Sequence, residues 1–356
     1  MSPKKTSITN ILIFSLIFSL ISCSDSRIVF EFQHSIQDYI WSPDKKSFFL
    51  VYRTGKKVTS SEVLHAPPFS QLSINQYHIL KVNIDSLPLI ESLYTTIVPE
   101  NITQKQVQNY FSEQIFLFKN QNIRDNKLFF LSNYRLYEID IKTKEKKEVI
   151  YVGKINCFPC FISENKIMIE RRISYSESSL AAIDMLPPYE LKVINENELK
   201  KNEDDILSFE INHPEKPIFV YALTKPRANS PYTYGIAKID FSNQKLSQIA
   251  EIKTEKITQI IGWISHTQLV YKDMGTYKFF DMDKNQSEIY SSSLLPTDFT
   301  NLKYADDYNQ FSYLFSDINE GYQYLKIFDL KTKKTRTVIS NKDLPKGDLV
   351  ERREFF

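Results

Sequence analysis

Glycine is scarce in this chain, with seven residues among 356. There is no glycine-rich phosphate loop and no Gly-x-Ser-x-Gly nucleophile motif, which leaves a nucleotide-binding loop or a serine hydrolase of that kind without support. The His-Glu-x-x-His and EF-hand patterns are also missing, and the five histidines show no metal-ligand spacing. We therefore expect no catalytic residue, no metal and no cofactor.

Long apolar runs and a surplus of one charge are missing as well. The longest largely apolar run, residues 11–21, has eleven residues, about half of the ~20 that a membrane helix needs. The chain has 45 Lys and Arg against 43 Asp and Glu. Lys4 and Lys5 precede the apolar run, and without them the two charges balance. Nucleic-acid binding is therefore not expected, because it needs a basic surplus.

The N-terminus has the pattern of a secretory signal: Lys4 and Lys5, the apolar run, and the small residue Ser22 before a cleavage point. Cys23 follows directly, and this order resembles the lipobox of bacterial lipoproteins. The resemblance implies that residues 1–22 are removed and that Cys23 is acylated and binds membrane lipid. A plain signal peptide with a chance cysteine, or a membrane helix, is the alternative.

The same resemblance indicates a location. Ser24 stands where the lipoprotein family carries an Asp for inner-membrane retention. We therefore expect a protein of the cell envelope, anchored in the outer membrane on its periplasmic side or at the cell surface.

Two further cysteines, Cys157 and Cys160, form a Cys-x-x-Cys motif whose flanks predict a strand. A redox site would need its first cysteine at a helix N-terminus. A structural disulfide suits an exported protein, but cysteines three apart in a straight strand lie ~10 Å apart, so it would need a turn at Phe158-Pro159. A disulfide, a pair of buried thiols and a redox pair are the three interpretations.

Two sequence patterns alternate along the chain. One is an apolar strand that ends in Asp or Asn before a polar turn, with the marker residue at positions 83, 140, 184, 240, 281 and 329. The other is a polar turn followed by a strongly apolar strand, first seen at Ser42-Pro43-Asp44. Ser, Pro, Asp and Asn favour tight turns, whereas Val, Ile, Phe and Tyr favour strands.

Four strands in about 50 residues, repeated six times, is the arithmetic of a β-propeller. We therefore predict an all-β fold, a six-bladed or possibly seven-bladed propeller, after a lipoprotein signal peptide. Two β-sandwiches are the alternative fold.

The Ser-Pro-Asp turn and the later apolar-Asp turn resemble the blades of TolB-type propellers and of the N-terminal propeller of dipeptidyl-peptidase IV-like proteins. That family usually has Gly after Ser-Pro-Asp, where this chain has Lys45. The TolB resemblance implies a binding component of an envelope complex. In the peptidases a hydrolase domain follows the propeller, and residues 341–356 are too few for one.

The predicted organisation has four parts. Residues 1–22 form the signal peptide, 23–36 an anchor or linker with a possible ring-closing strand, 37–340 the propeller and 341–356 a C-terminal tail. The tail could pair with residues 27–32 and so close the ring.

In a propeller, connections alternate between two faces, and the longer ones fall on one face here. Long loops on a rigid scaffold often carry function, and Tyr and Arg are common interface anchors. The candidate binding residues are His65, Tyr110, Arg171, Arg172, Tyr175, Arg227, Tyr232 and Tyr322.

The sequence thus favours a lipid-anchored, exported, non-catalytic scaffold that binds a protein or another envelope component through its long-loop face. A carbohydrate- or peptide-active hydrolase, with its site at the central channel, is the alternative.

Overall fold

The computed structural model describes residues 29–59, 72–84, 89–97, 114–118, 126–152, 156–162, 166–174, 177–184, 190–194, 199–213, 216–225, 228, 231–243, 245–253, 257–289, 299–305 and 310–345. Some strand residues within these ranges are described by their backbone alone. In this part of the chain no helix is long and apolar enough to cross a membrane.

The described residues form six four-stranded antiparallel sheets, each a meander in chain order. Blade 1 contains β1 (Val29–Trp41), β2 (Ser47–Thr59), β3 (Leu72–Asn83) and β4 (Ile90–Thr95). Blade 2 contains β5 (Phe116–Leu117), β6 (Lys127–Ser132), β7 (Arg135–Asp140) and β8 (Lys146–Tyr151). Blade 3 contains β9 (Asn156–Ile162), β10 (Lys166–Ser174), β11 (Glu177–Asp184) and β12 (Leu191–Val193).

The second half of the chain repeats the arrangement. Blade 4 contains β13 (Ile206–Asn212), β14 (Ile218–Thr224), β15 (Thr233–Asp240) and β16 (Lys245–Ile252). Blade 5 contains β17 (Ile257–Trp263), β18 (Gln268–Asp273), β19 (Thr276–Asp281) and β20 (Gln286–Ile289). Blade 6 contains β21 (Phe299–Tyr304), β22 (Gln310–Asp317), β23 (Tyr322–Asp329) and β24 (Lys334–Ser340), followed by a 3-10 turn at Asn341–Asp343.

The six sheets are arranged in a ring. The first strands of neighbouring blades contact each other, so these strands lie nearest the axis. We label the strands of each blade a to d from the axis outward. The predicted six-bladed propeller is confirmed, and the alternative of two β-sandwiches is wrong.

The hydrophobic core lies between the blades. Five buried clusters join blades 1 and 2, 2 and 3, 3 and 4, 4 to 6, and 6 and 1. Gly262 on β17 shows how closely the blades approach, because a Cβ there would lie 2.6 Å from the carbonyl oxygen of Leu302 on β21. Each blade is therefore stabilised mainly by the sheets on its two sides.

The recurring Asp residues form the turns between strands c and d, as their pattern predicts. Asp140 Oδ1 accepts hydrogen bonds from the backbone N–H groups of Lys142 and Thr143. The same arrangement recurs at Asp240, Asp281 and Asp329. In the first a–b turn, Lys45 has φ 55°, a conformation that glycine adopts more readily than other residues.

Within the described residues, no blade combines strands from the two ends of the chain. Blade 1 is built from residues 29–95 and blade 6 from residues 299–340. Strand β1 begins at Val29, inside the segment for which a linker or closing strand is predicted, and it pairs with β2. The proposed pairing of the tail falls on residues 346–356, which lie outside the described residues.

Side chains between blades 1 and 6 make the closure interface. Lys303 Nζ lies 2.7 Å from Asp38 Oδ1 and also donates to the carbonyl oxygen of Tyr39. Asn301 Nδ2 donates to the same carboxylate at 2.9 Å, and Tyr39 Oη donates to the Asn301 carbonyl oxygen at 2.6 Å. Gln323 Oε1 accepts from the backbone N–H of Ile36 at 2.8 Å.

Blade 1 is longer than the others. Strands β1 and β2 have 13 residues each and β3 has 12, and their pairing continues to Val29 opposite Thr59 and Val58 opposite Leu72. The connection between β2 and β3 comprises residues 60–71, because both strands extend past the buried Gly55.

We expect Lys303→Ala to lower the free energy of unfolding by about 2–3 kcal/mol, because it leaves the Asp38 carboxylate partly buried without its cation. Urea denaturation followed by fluorescence would measure the change. Arg135→Ala is the control, since its ion pair with Glu148 is about 42% exposed on both sides and should contribute less than about 1 kcal/mol. Equal losses in the two variants would contradict a special role for the closure interface.

Candidate binding face

The connections of the propeller define two faces. The long-loop face contains the b–c connections, 60–71, 133–134, 175–176, 225–232, 274–275 and 318–321, and the connections between blades, 96–115, 152–155, 194–205, 253–256 and 290–298. The short-turn face contains the a–b and c–d turns. The predicted asymmetry holds in outline, with two differences.

Three b–c connections on the long-loop face have only two residues, and one a–b connection on the short-turn face, 118–126, has nine. Of these, the connections 133–134 and 274–275 are described, and both are tight hairpin turns. The long a–b connection follows from the two-residue strand β5, which ends early.

The b–c connections described in blades 2, 4, 5 and 6 each carry one exposed apolar or aromatic side chain. These four tip residues are Tyr134, Tyr232, Met274 and Ile318, which are 43%, 40%, 65% and 92% exposed. Ile97, 84% exposed, also lies on this face. An apolar side chain in water forgoes ~25 cal/mol for each Å² it could bury, and four of the six blades have such a side chain on this face.

Two of these tips also have an unfavourable backbone. In blade 2, Asn133 and Tyr134 have φ 46° and 63°, and in blade 5, Met274 and Gly275 have φ 46° and 86°. Two-residue hairpins require positive φ, for which Asn and Gly are the favoured residues. Tyr134 and Met274 are therefore both strained and exposed, as are Lys144 and Lys333 in two c–d turns.

The short-turn face is chemically different. Four of its c–d turns are built by an aspartate: Asp140, Asp240, Asp281 and Asp329. Hydrogen bonds lower the pKa of each carboxyl. The strongest contribution comes from backbone N–H groups in three of the turns and from the side chain of Gln268 at Asp281. The apolar residue after each Asp, such as Ile141 or Phe241, packs against the core instead of facing solvent. Leu89, in blade 1, is the exposed exception among the described turns of this face.

Three predicted binding residues are described with their side chains, and each lies on the long-loop side of its own blade. Arg171 is half-buried in β10, and its Nε has no hydrogen-bond partner. Tyr232 is in the b–c connection of blade 4. Tyr322 begins β23, with Lys342 Nζ 5.7 Å from its ring centroid. They belong to blades 3, 4 and 6, and the structure brings none of them into contact with another.

The other predicted site residues, or their side chains, lie outside the described part of the chain. His65, Tyr110, Tyr175 and Arg227 lie outside the described residues, as does Cys23, and the same holds for the side chain of Arg172 on β10. Cys157 and Cys160 lie on β9, where the register shifts between Met168 and Ile169 of the partner strand. Their side chains are also outside the description, so the disulfide stays a prediction.

Tyr232 holds two connections of the long-loop face together. Its hydroxyl donates to Asp205 Oδ2 at 2.7 Å, and the backbone N–H of Asn202 donates to the same oxygen at 2.9 Å. Burial would raise the pKa of Asp205, but these hydrogen bonds outweigh it and lower the pKa. Burial and the Asp205 carboxylate raise the pKa of Tyr232 to about 12. The connection before blade 4 is thus attached to the tip of that blade.

Sequence reasoning missed a cluster in which His213, His266 and Tyr304 meet from blades 4, 5 and 6. Tyr304 Oη lies 3.2 Å from His213 Nε2 and 3.3 Å from His266 Nδ1. His213 Nδ1 accepts from the backbone N–H of Lys216 at 2.9 Å. Burial lowers the pKa of His213 to about 3, so the ring stays neutral in the folded state. The histidines are 53 residues apart in sequence, and only the ring brings them together.

Six carboxyls have a pKa that is lowered: Asp44, Asp140, Asp205, Asp240, Asp281 and Asp329. A general acid of a glycosidase would need a raised value. Within the described residues, no group of three or more His, Cys, Asp or Glu could hold a metal ion.

No protein-family model and no curated protein matches the chain. Among solved structures it is similar to TolB from Acinetobacter baumannii, with 12% identity, a TM-score of 0.49, and coverage of 87% of this chain and 79% of that one. It is also similar to an oligogalacturonate lyase in complex with manganese, with 14% identity, a TM-score of 0.46, and coverage of 87% of this chain and 85% of that one. A third similar structure is prolyl oligopeptidase B from Galerina marginata, with 10% identity, a TM-score of 0.42, and coverage of 86% of this chain and 42% of that one. These likenesses concern the fold alone.

We expect stability to fall by about 2 kcal/mol between pH 7 and pH 5 because of His213. The folded pKa is about 3 and the unfolded pKa is about 6.5, so below pH 6.5 only the unfolded state takes up the proton. The pH range of this effect lies above the range in which the turn carboxylates become protonated. Their contribution to stability is lost only below about pH 4. Urea midpoints at several pH values would measure this slope.

The matched variant for this measurement is His213→Asn, whose side-chain oxygen can still accept from Lys216. Its overall stability is expected to be lower, but its pH slope between 7 and 5 should be smaller. An unchanged slope would show that another group is responsible.

Met274→Asn should raise the free energy of unfolding by about 0.5–1 kcal/mol, because Asn tolerates positive φ better than Met. Ile318→Asn is the control: it also removes an exposed apolar side chain, but position 318 is not among the positive-φ residues. Thermal unfolding would compare the two. No gain in Met274→Asn would argue against strain at this turn.

Proposed function

We propose that this protein is an exported, lipid-anchored, non-catalytic propeller that binds a component of the cell envelope through its long-loop face. The observation that carries the proposal is the contrast between the faces. Exposed apolar tips recur in the described b–c connections of four blades, whereas the opposite c–d turns are closed by hydrogen-bonded carboxylates.

The strain at two tips adds to this argument. Folding alone would favour Asn or Gly at positions 134 and 274, both for the backbone and for solubility. Retaining Tyr and Met there costs stability, and an interaction that covers these side chains would offset that cost.

The anchor part of the proposal comes from the sequence. Cys23 follows a signal-like segment in the lipobox order, and acylation at that residue would keep the propeller on a membrane. A binding face on a protein restricted to a membrane meets its ligand at a raised effective concentration, so modest contacts at each tip are sufficient.

The proposal predicts a difference between the two ends of one blade. A photoreactive amino acid placed at Ile318, on the long-loop face of blade 6, should form adducts with an envelope component in cells. The same amino acid at Lys331, in the c–d turn of that blade, should not. Equal adducts from both positions would contradict the binding face.

The anchor is tested in the same cells with Cys23→Ala. The variant should lose incorporation of labelled fatty acid and leave the membrane fraction. Retention of the label and of the membrane fraction would contradict acylation at Cys23.

A further inference from the structure

The direction of β1 determines which face of the propeller lies near an N-terminal anchor. Strand a of each blade starts at the long-loop face, so β1 begins there at Val29 and ends at the short-turn face at Trp41. Cys23 precedes Val29 by six residues, which span at most about 20 Å when extended. The thirteen residues of β1 span about 40 Å. An anchored Cys23 therefore keeps the short-turn face off the membrane.

We propose that the long-loop face docks on the phospholipid surface that holds Cys23, with its apolar tips in the interfacial layer. This inference deepens the proposed function and rests on its anchor. It identifies the envelope component as phospholipid.

The chemistry of the face fits this occupant. Tyr, Met and Ile are side chains that enter the headgroup boundary, and Tyr is enriched there. Basic side chains stand beside aromatic rings on the same face: Lys225 Nζ lies 5.5 Å from the Tyr232 centroid, and Lys272 Nζ lies 5.4 Å from that of Tyr277. Lysine next to an aromatic ring can reach lipid phosphate while the ring meets acyl chains.

The spacing of the tips distinguishes a lipid surface from a protein partner. Protein interfaces concentrate their energy in a central cluster of anchors. Here the four tip residues belong to four different blades and are distributed around the ring. A fluid surface can accept separate insertions of this kind without a complementary shape.

The test uses the lipidated full chain in vesicles of phosphatidylethanolamine and phosphatidylglycerol with brominated acyl chains, which quench tryptophan by contact. Met274→Trp should be quenched at least about twofold more than Asp283→Trp, which lies in the c–d turn of the same blade. Trp41 and Trp263 are buried and contribute the same background to both variants.

Equal quenching of the two variants would overturn the docking. Adducts at Ile318 with protein alone, together with unquenched Met274→Trp, would also overturn it in favour of a protein partner, while the proposed function would stand. Flotation of the vesicles tests the anchor separately. A chain that carries no lipid and does not float would overturn the anchor, and with it this inference.

Discussion

The structure depends on burial between neighbouring blades. A sheet of about 50 residues cannot bury both of its faces by itself, and here each blade covers its flanks with the two adjacent ones. The core is accordingly a series of clusters between sheets and not one central cluster. The close approach of Gly262 to Leu302 is one local consequence. Because every blade needs two neighbours, the ring must close, and any weak point in the closure affects all six blades.

In the described residues the ring closes between blade 1, built from residues 29–95, and blade 6, built from residues 299–340. Asp38 and Lys303, supported by Asn301 and Tyr39, provide the polar part of this contact. The same arrangement puts β1 nearest the axis and its first residue at the long-loop face. The geometry of ring closure therefore also determines from which face the chain leads to Cys23, and this relation connects the fold with the proposed function.

The turns on the two faces differ in the role of their side chains, although both faces belong to the same sheets. On the short-turn face, side chains such as Asp140 satisfy the backbone of their own turn, and the next apolar residue packs inward. On the long-loop face, Tyr134 and Met274 occupy conformations that suit glycine and leave their side chains in water. The first pattern follows from turn chemistry, and these turns also hold non-glycine residues at positive φ, such as Lys144 and Lys333. The second costs folding energy, and a covering surface is the simplest physical reason for keeping it.

Much of the fold could be predicted from the sequence, because strand alternation and turn residues are local. The apolar-Asp pattern identified all six blades, and the turn role of Asp240 or Asp329 follows from a side chain bonding to its own backbone. The binding residues were predicted less well. Tyr232 was identified as an aromatic residue in a connection, but Tyr134, Met274 and Ile318 were missed, since exposure and backbone angle depend on where a turn stands in the ring. The sequence by itself determined the strands, their turns and the signal-like N-terminus. Only the tertiary structure decided that His213 meets His266 and Tyr304, and that the apolar tips share a face with the start of β1. Contacts between residues far apart in the chain are set by the closed ring, and no local pattern encodes them.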